Sequence, residues 1–363
     1  MTDPVGVTLL RDVHHGGSAG QLTEIADQLA GFVAAATVSV DLAIYDFRLA
    51  DPAVAKTVVT AFSAAAARGV SVRIGYDAGK PAQADAATFA ALEADPAPVG
   101  TAQWVTEHFA DTGVQTKAIS GGHQLMHSKY LVRDPGTGQA SVWTGSTNFT
   151  DDAWTQQENN VITIDSAPLA AAYRTDFDQL WAAAAIAGTG EHSAGTGTAG
   201  AGELGWDFCP GDGRAVNLAL AARVSAANQR LIVASMVLTS HEVLDALSKA
   251  IDRGVPVTGI YDGGQMDPIV RGWQANPHDT ALVATWQKVS QHLVAKHSVP
   301  YTPTSAHNFM HLKVLVSDDT LTTGSYNFSA NAERNAENQI YVTDPDTVAT
   351  YTDYLGQVID AYR

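Results

Sequence analysis

Val38-Ser-Val-Asp-Leu-Ala-Ile-Tyr45, a helical stretch closing at Ala67-Arg-Gly69-Val, and Ser71-Val-Arg-Ile-Gly-Tyr76-Asp77-Ala-Gly79 make one unit, and the chain contains it twice. The second copy runs Arg230-Leu-Ile-Val-Ala-Ser-Met-Val237, a helical stretch closing at Asp252-Arg-Gly254-Val, and Pro256-Val-Thr-Gly-Ile-Tyr261-Asp262-Gly-Gly264. Gly69 to Gly254 and Asp77 to Asp262 are both shifts of 185 residues. Each copy reads as an apolar, partly β-branched strand, a helix rich in Ala or Leu with a glycine at its C-terminus, and a second strand ending at Tyr-Asp. Strand, helix, strand in that order requires a parallel crossover. The fold class is therefore α/β, in two homologous halves.

The expected division is a first lobe over residues 1–186 and a second over 203–363. Between them, residues 187–202 (AGTGEHSAGTGTAGAG) are almost entirely Gly, Ala, Thr and Ser, a composition expected to form a linker because it buries too little surface to order itself. A glycine-rich phosphate loop is the alternative, but no Gly-Lys-Ser/Thr follows and no strand leads in.

The 363 residues suit two packed units, and a 45% hydrophobic content is that of a globular protein. A formal charge of −17 repels the phosphate backbone on which non-specific nucleic-acid binding depends, so long DNA is a poor partner. Cys209 is the single cysteine, which excludes an intramolecular disulfide and a cysteine-based metal site. No window reaches the roughly 18 apolar residues of a spanning helix, and the N-terminus lacks a basic segment followed by an apolar one. The chain as written reads as cytoplasmic, with a mature secreted form lacking its signal as the other reading.

The later part of each unit carries the chemistry. The first copy holds His127-Ser-Lys129-Tyr-Leu-Val-Arg-Asp134, then Gly145-Ser146-Thr-Asn148, then Glu158-Asn159. The second holds His311-Leu-Lys313-Val-Leu-Val-Ser-Asp318, then Gly324-Ser325-Tyr-Asn327, then Glu337-Asn338. In both copies His and Lys are two apart, Lys and Asp five, Ser and Asn two, Asn and Glu ten. The apolar residues after each Lys read as buried strands, and a strand sends residues i and i+2 to one face. His127 and Lys129 therefore point together, and so do Ser146 and Asn148 on the following strand. Hairpins join the strands, through Pro135-Gly-Thr-Gly138 in the first copy and the shorter Asp319-Thr in the second. An imidazole, an ammonium, a hydroxyl and a carboxamide converge, which is a nucleophile or proton carrier with donors for phosphate oxygens.

This constellation resembles the phospholipase D superfamily, whose signature is His-x-Lys, four residues, Asp, then Gly-Ser-x-x-Asn or a close relative; both copies depart slightly from it, with Ser and Asn two apart. The resemblance covers both halves. It implies two phospholipase D-like α/β/α sandwich lobes related by a pseudo-twofold axis, with the active site at their interface. It also implies hydrolysis or transfer of a phosphodiester through a covalent phosphohistidine, without metal or cofactor. One His attacks phosphorus; the other protonates the leaving alcohol and then activates water or an acceptor alcohol. The usual order in two-motif members makes His127 the nucleophile and His311 the acid and base, a choice the symmetry of the sequence does not itself decide. Lys129 and Lys313 with Asn148 and Asn327 would hold the phosphoryl oxygens, assisted by Ser146 and Ser325. A nucleophilic imidazole needs a carboxylate to accept its other N–H, and Glu158 and Glu337 are the candidates. Asp134 and Asp318 complete the catalytic motifs, at strand ends where they look more structural than catalytic.

The expected substrate is a phospholipid or another small phosphodiester, with water or an alcohol as acceptor, handled by a monomer with at most transient contact to a membrane surface. Within the same chemistry the rival is a metal-independent nuclease. From another class, the rival is a phosphate-binding protein with a fossil site.

Other positions have quieter readings. His123 and His307, four residues before each motif His, read as repeat ancestry with a lining role rather than a zinc helix, because the segment leads into a strand. Asp77 and Asp262 end central strands, where they either cap the next loop or meet a ligand. His14-His15-Gly-Gly and Asp207-Phe-Cys-Pro-Gly211 precede the first helix of each lobe and read as loop-ordering segments. Trp143 and Trp154 are core or cleft wall, close enough in sequence to the motif to touch an apolar part of a substrate.

Overall fold

The computed structural model describes residues 5–79, 98–299 and 305–363. The first lobe contributes β1 (Val5–Leu10), β2 (Ser39–Ile44), β3 (Phe47–Arg48), β4 (Ser71–Asp77), β5 (Gln115–Ile119), β6 (Lys129–Arg133), β7 (Ser141–Gly145), β8 (Phe149–Thr150) and β9 (Asn159–Ile164). The second contributes β10 (Gly195–Ala199), β11 (Gly202–Cys209), β12 (Leu231–Ser235), β13 (Val257–Asp262), β14 (Val294–Lys296), β15 (Lys313–Ser317), β16 (Thr320–Gly324) and β17 (Glu337–Val342).

The first sheet has the order β1-β9-β7-β6-β2-β4-β5 and the second β10-β11-β17-β16-β15-β12-β13-β14. β10 apart, the second order repeats the first strand for strand. β2 pairs parallel with β4, and β12 with β13, as the strand, helix, strand reading requires. The hairpins β6–β7 and β15–β16 are antiparallel. β2 and β6 lie mid-sheet and are buried along almost their whole length.

The crossover helices Pro52–Ala67 and His241–Asp252 form for local reasons. Asp51 accepts from Ala53 N and Val54 N with Pro52 in the first turn, and Ser240 accepts from Val243 N. Val243, Leu244, Leu247 and Ala250 then make one buried stripe. Gly69 (φ +88°) and Gly254 (φ +79°) end the helices. Val70 N returns to Ala65 O, and Val255 N to Ala250 O, the six-to-one bond that only a left-handed residue between them permits.

Each sheet is covered on both faces. Helices Gln21–Ala34, Pro52–Ala67 and Thr101–Phe109 close one face of the first sheet, and Ala167–Ala183 packs on the other. The second lobe repeats this, with Pro345–Ala361 in the place of Ala167–Ala183. Those two C-terminal helices lie between the lobes: Tyr173 and Phe177 share a core with Leu204, Phe208 and Ile340 of the second sheet. Reciprocal buried hydrogen bonds cross the interface. Asn160 donates to Tyr351 Oη (2.7 Å) and Thr323 Oγ1 (3.1 Å), and Asn338 donates to Thr144 Oγ1 (2.6 Å) and Tyr173 Oη (3.1 Å).

The stretch 187–202 differs from its expectation. Residues 195–199 form β10, an added edge strand on β11, and Trp206 lies over Gly195 and Gly197, where a side chain would collide with the indole. The small residues that looked unable to bury surface are the ones that fit under Trp206. No helix among the described residues is long and apolar enough to cross a membrane.

Candidate active site

His127 and Lys129 stand at the start of β6, and His311 and Lys313 at the start of β15. All four are 6% exposed or less. Each histidine is seated by the strand-end aspartate of its own lobe. Asp77 Oδ2 accepts from Met126 N, and Asp262 Oδ2 accepts from Met310 N, both at 2.8 Å. The two aspartates therefore fix the residue before each histidine as well as capping the following turn through Gly79 N and Gln265 N.

The two motifs meet because each lobe orients the other's histidine. His127 Nδ1 lies 2.8 Å from Glu337 Oε2, a carboxylate on β17 of the second lobe. His311 Nδ1 lies 3.0 Å from Asn159 Oδ1, an amide on β9 of the first. Burial, with the Lys129 and Lys313 charges adding to it, pushes His127 well below the ordinary histidine value. The same holds for His311, where burial leads and Lys313, Lys129 and His127 follow. Burial also lifts Glu337 to about 7 despite Lys129 beside it. A neutral imidazole donating Nδ1–H to Glu337 satisfies both groups.

Burial lowers Lys129 to about 7, opposed by Glu337, Asp46 and Asp77, and lowers Lys313 well below its usual value with Lys129 adding to the effect. Each ammonium donates to the carbonyl of the histidine two residues back, at 2.6 Å. Among the described residues that is the one hydrogen bond each nitrogen makes, which leaves two N–H bonds for an anion whose charge would relieve the burial cost. Asn148 and Asn327 each keep a buried carboxamide oxygen with no hydrogen-bond partner among the described residues. The Tyr45 ring meets His127 edge to face (4.8 Å between centroids) and lies 5.0 Å from Lys129 Nζ.

Several sequence expectations change. Ser146 and Ser325 lie past the ends of β7 and β16, where Gly145 and Gly324 have φ near +150° and a Cβ would strike the carbonyls of Asn160 and Asn338. Their hydroxyls serve the scaffold: Ser146 donates to Asn159 Oδ1 (2.7 Å) and accepts from Asn160 N (3.0 Å), and Ser325 accepts from Asn338 N (2.9 Å). Neither offers a free donor to a phosphate. Asp134 and Asp318 sit at the far ends of their strands with positive φ. They accept backbone N–H bonds from residues 37–39 and 228–230, so their role is to tie down the entry to β2 and β12.

Glu158, matched to Glu337 by its ten-residue offset from Asn, is not its structural counterpart. Asn159 pairs with Leu10 on β1 as Glu337 pairs with Cys209 on β11, and Glu158 bridges Met310 as Ala336 bridges Met126. Glu158 instead binds Lys296 Nζ (2.8 Å) and Tyr362 Oη (2.6 Å). Trp143 and Trp154 are buried in the first lobe's core. His123 is exposed, and His307 stacks on Phe309. His14 and His15 form an exposed turn capped by Asp12, with His15 against Tyr362. Lys296 and Tyr45 lie outside the repeated His, Lys, Ser, Asn and Glu pattern, and Asn159 is found through the pairing of β9 with β1.

Comparison with known proteins bears on the family and the fold. Residues 29–181 and 220–359 match the family described as "Cardiolipin synthase, PLD-like domain". The phosphatidylserine synthase of Haemophilus influenzae Rd KW20 superposes with a TM-score of 0.64 at 14% identity, over 97% of this chain and 86% of that one. Polyphosphate kinase from Porphyromonas gingivalis superposes with a TM-score of 0.59 at 12% identity, over 97% of this chain and 46% of that one. No curated protein sequence matches the chain.

Proposed function

The chain belongs to the phospholipase D superfamily, and from that premise we propose that it cleaves or transfers a phospholipid or another small phosphodiester through a phosphohistidine on His127. The observation that carries the reading is that each histidine is oriented by the opposite lobe, with the buried Lys129 and Lys313 acting on both rings. His127 Nε2 attacks phosphorus, and the P–O bond to the leaving alcohol breaks as His311 Nε2–H protonates that oxygen. His311 then takes a proton from water or an acceptor alcohol, whose oxygen attacks phosphorus. The P–N bond breaks and its electron pair returns to His127. Glu337 supports His127 as the nucleophile, because a carboxylate at Nδ1 stabilises the cation that forms on phosphorylation. Lys129 and Lys313 hold the phosphoryl oxygens. The cycle requires a proton on His311 Nε2 when the diester binds, and the diester's negative charge opposes the Lys313 and Lys129 contributions that add to burial in depressing that histidine.

A lipid diester is favoured by the family described as cardiolipin synthase, by the likeness to a phosphatidylserine synthase, and by the charge of −17. The test uses bis(p-nitrophenyl) phosphate, phosphatidylcholine vesicles with an alcohol acceptor, and single-stranded DNA, all in EDTA. Turnover of the first two, with a phosphoenzyme trapped in wild type and not in His127→Ala, is expected. DNA cleavage alone would make the chain a nuclease, and absence of any adduct would sink the covalent route.

A further inference from the structure

We propose that Asn159 is a positioning residue that reserves His311 for proton transfer: its neutral amide fixes the hydrogen on His311 Nδ1, while Lys296 holds the adjacent Glu158 carboxylate away from the ring. This rests on the two-histidine reading above.

The orientation of the Asn159 amide follows from its partners. Its Nδ2 donates to the Ala153 carbonyl at 3.0 Å, an acceptor that has no hydrogen to give. Its Oδ1 therefore faces the Ser146 hydroxyl (2.7 Å) and His311 Nδ1 (3.0 Å), and His311 Nδ1 must carry the hydrogen. The lone pair that accepts a proton and returns it is then on Nε2.

The two histidines thus differ in what faces them. A nucleophile stays cationic for the life of the phosphoenzyme, and a carboxylate suits it. A proton carrier must release its proton, and a neutral acceptor leaves its imidazolium the stronger acid. The charged groups that act most on His311 are Lys313 on its own strand, with Lys129 and His127 from the first lobe.

The missing carboxylate has moved by one residue. Where the second lobe reads Ala336-Glu337, the first reads Glu158-Asn159. Glu158 is fully buried and turned to Lys296 Nζ (2.8 Å), Tyr362 Oη (2.6 Å) and Asp12 N (3.3 Å). Lys296 also reaches Asp12 Oδ2 (3.1 Å) and the Gln156 carbonyl (2.9 Å). At the equivalent places in the other half stand Ala336 and Ile119, both buried and apolar. An ion pair in an interior position that an apolar pair can fill is rarely the more stable choice. Its position is explained by its neighbour: the Glu158 carbonyl accepts His311 N (3.2 Å), so anchoring Glu158 seats both the ring's backbone and the Asn159 amide.

Two variants and two measurements test this. Nitrogen-15 spectra of the full-length protein are expected to show His311 as the Nδ1–H tautomer in wild type and a tautomer mixture in Asn159→Ala. With bis(p-nitrophenyl) phosphate, Asn159→Ala should lower kcat by at least about tenfold while KM moves less than about twofold. Asn159→Asp should raise by about one unit or more the pH limb that His311 controls. An unchanged tautomer and an unchanged pH profile in folded variants would overturn the proposal, as would a phosphoryl group recovered on His311. If wild type turns over no diester, the functional reading falls, and the tautomer spectra still decide the placement of Asn159.

Discussion

Glu337 concentrates the chemistry of the first histidine in one side chain. Its Oε2 faces His127 at 2.8 Å and its Oε1 accepts from Asn335 at 3.2 Å, so the carboxylate cannot rotate without losing a buried bond. Glu337→Gln keeps the shape but lets an NH2 face His127 Nδ1, which favours the wrong tautomer and removes the charge that stabilises the cation. The expected result is a fall in kcat of about 10²- to 10⁴-fold, seen as slower phosphoenzyme formation in a rapid-quench experiment. An unchanged burst would mean that the carboxylate has no part in the step. His127, Lys129, His311 and Lys313 were legible because period-two spacing forces each pair onto one face of a strand. Asn159 was not, because identity at equal offset is a weaker guide than strand register. The segment after Asn148 folds as helix Asp151–Thr155, while the segment after Asn327 folds as the tighter turn Ala332–Arg334, and one residue separates the two paths.

At the scale of elements, the strand-end aspartates show how far motif and mechanism separate. Asp134 accepts from Thr37 N (2.8 Å), Val38 N (2.7 Å), Ser39 N (2.9 Å) and the Thr37 hydroxyl (2.9 Å), which joins the end of β6 to the start of β2. Burial works against its ionisation, but these donors outweigh that cost and its pKa lies below the usual aspartate value. The stability it contributes is therefore complete above the unfolded aspartate value and disappears as pH falls through the lowered folded one. Asp134→Ala should lose about 2–4 kcal/mol in urea titrations at pH 7, and much less near pH 2, with kcat unchanged in the folded enzyme. A loss of kcat larger than the loss of folded protein would return Asp134 to the catalytic group. The crossovers, glycine caps and hairpins could be read in the sequence because each depends on a few neighbouring residues. The strand at 195–199 could not, since it exists only where Trp206 and the edge of β11 lie beside it.

The whole molecule is a duplicated fold whose halves have diverged where they exchange parts. Asn160 and Asn338 keep the exchange symmetric, each bonded to a Tyr and a Thr of the opposite lobe. The Lys296, Glu158 and Asp12 cluster breaks it, with charges where the other half has Ile119 and Ala336. This asymmetry separates stability from positioning. Lys296→Met alone leaves Glu158 and Asp12 buried without their cation and should cost about 3–5 kcal/mol, read from the denaturant midpoint. Lys296→Ile with Glu158→Ala copies the apolar pair of the other half and should recover most of that loss. If the cluster served stability, the double variant would be as weak as the single one. If it serves the seat of His311, the double variant folds like wild type and still turns over diester more slowly, because nothing then anchors the residue that precedes Asn159.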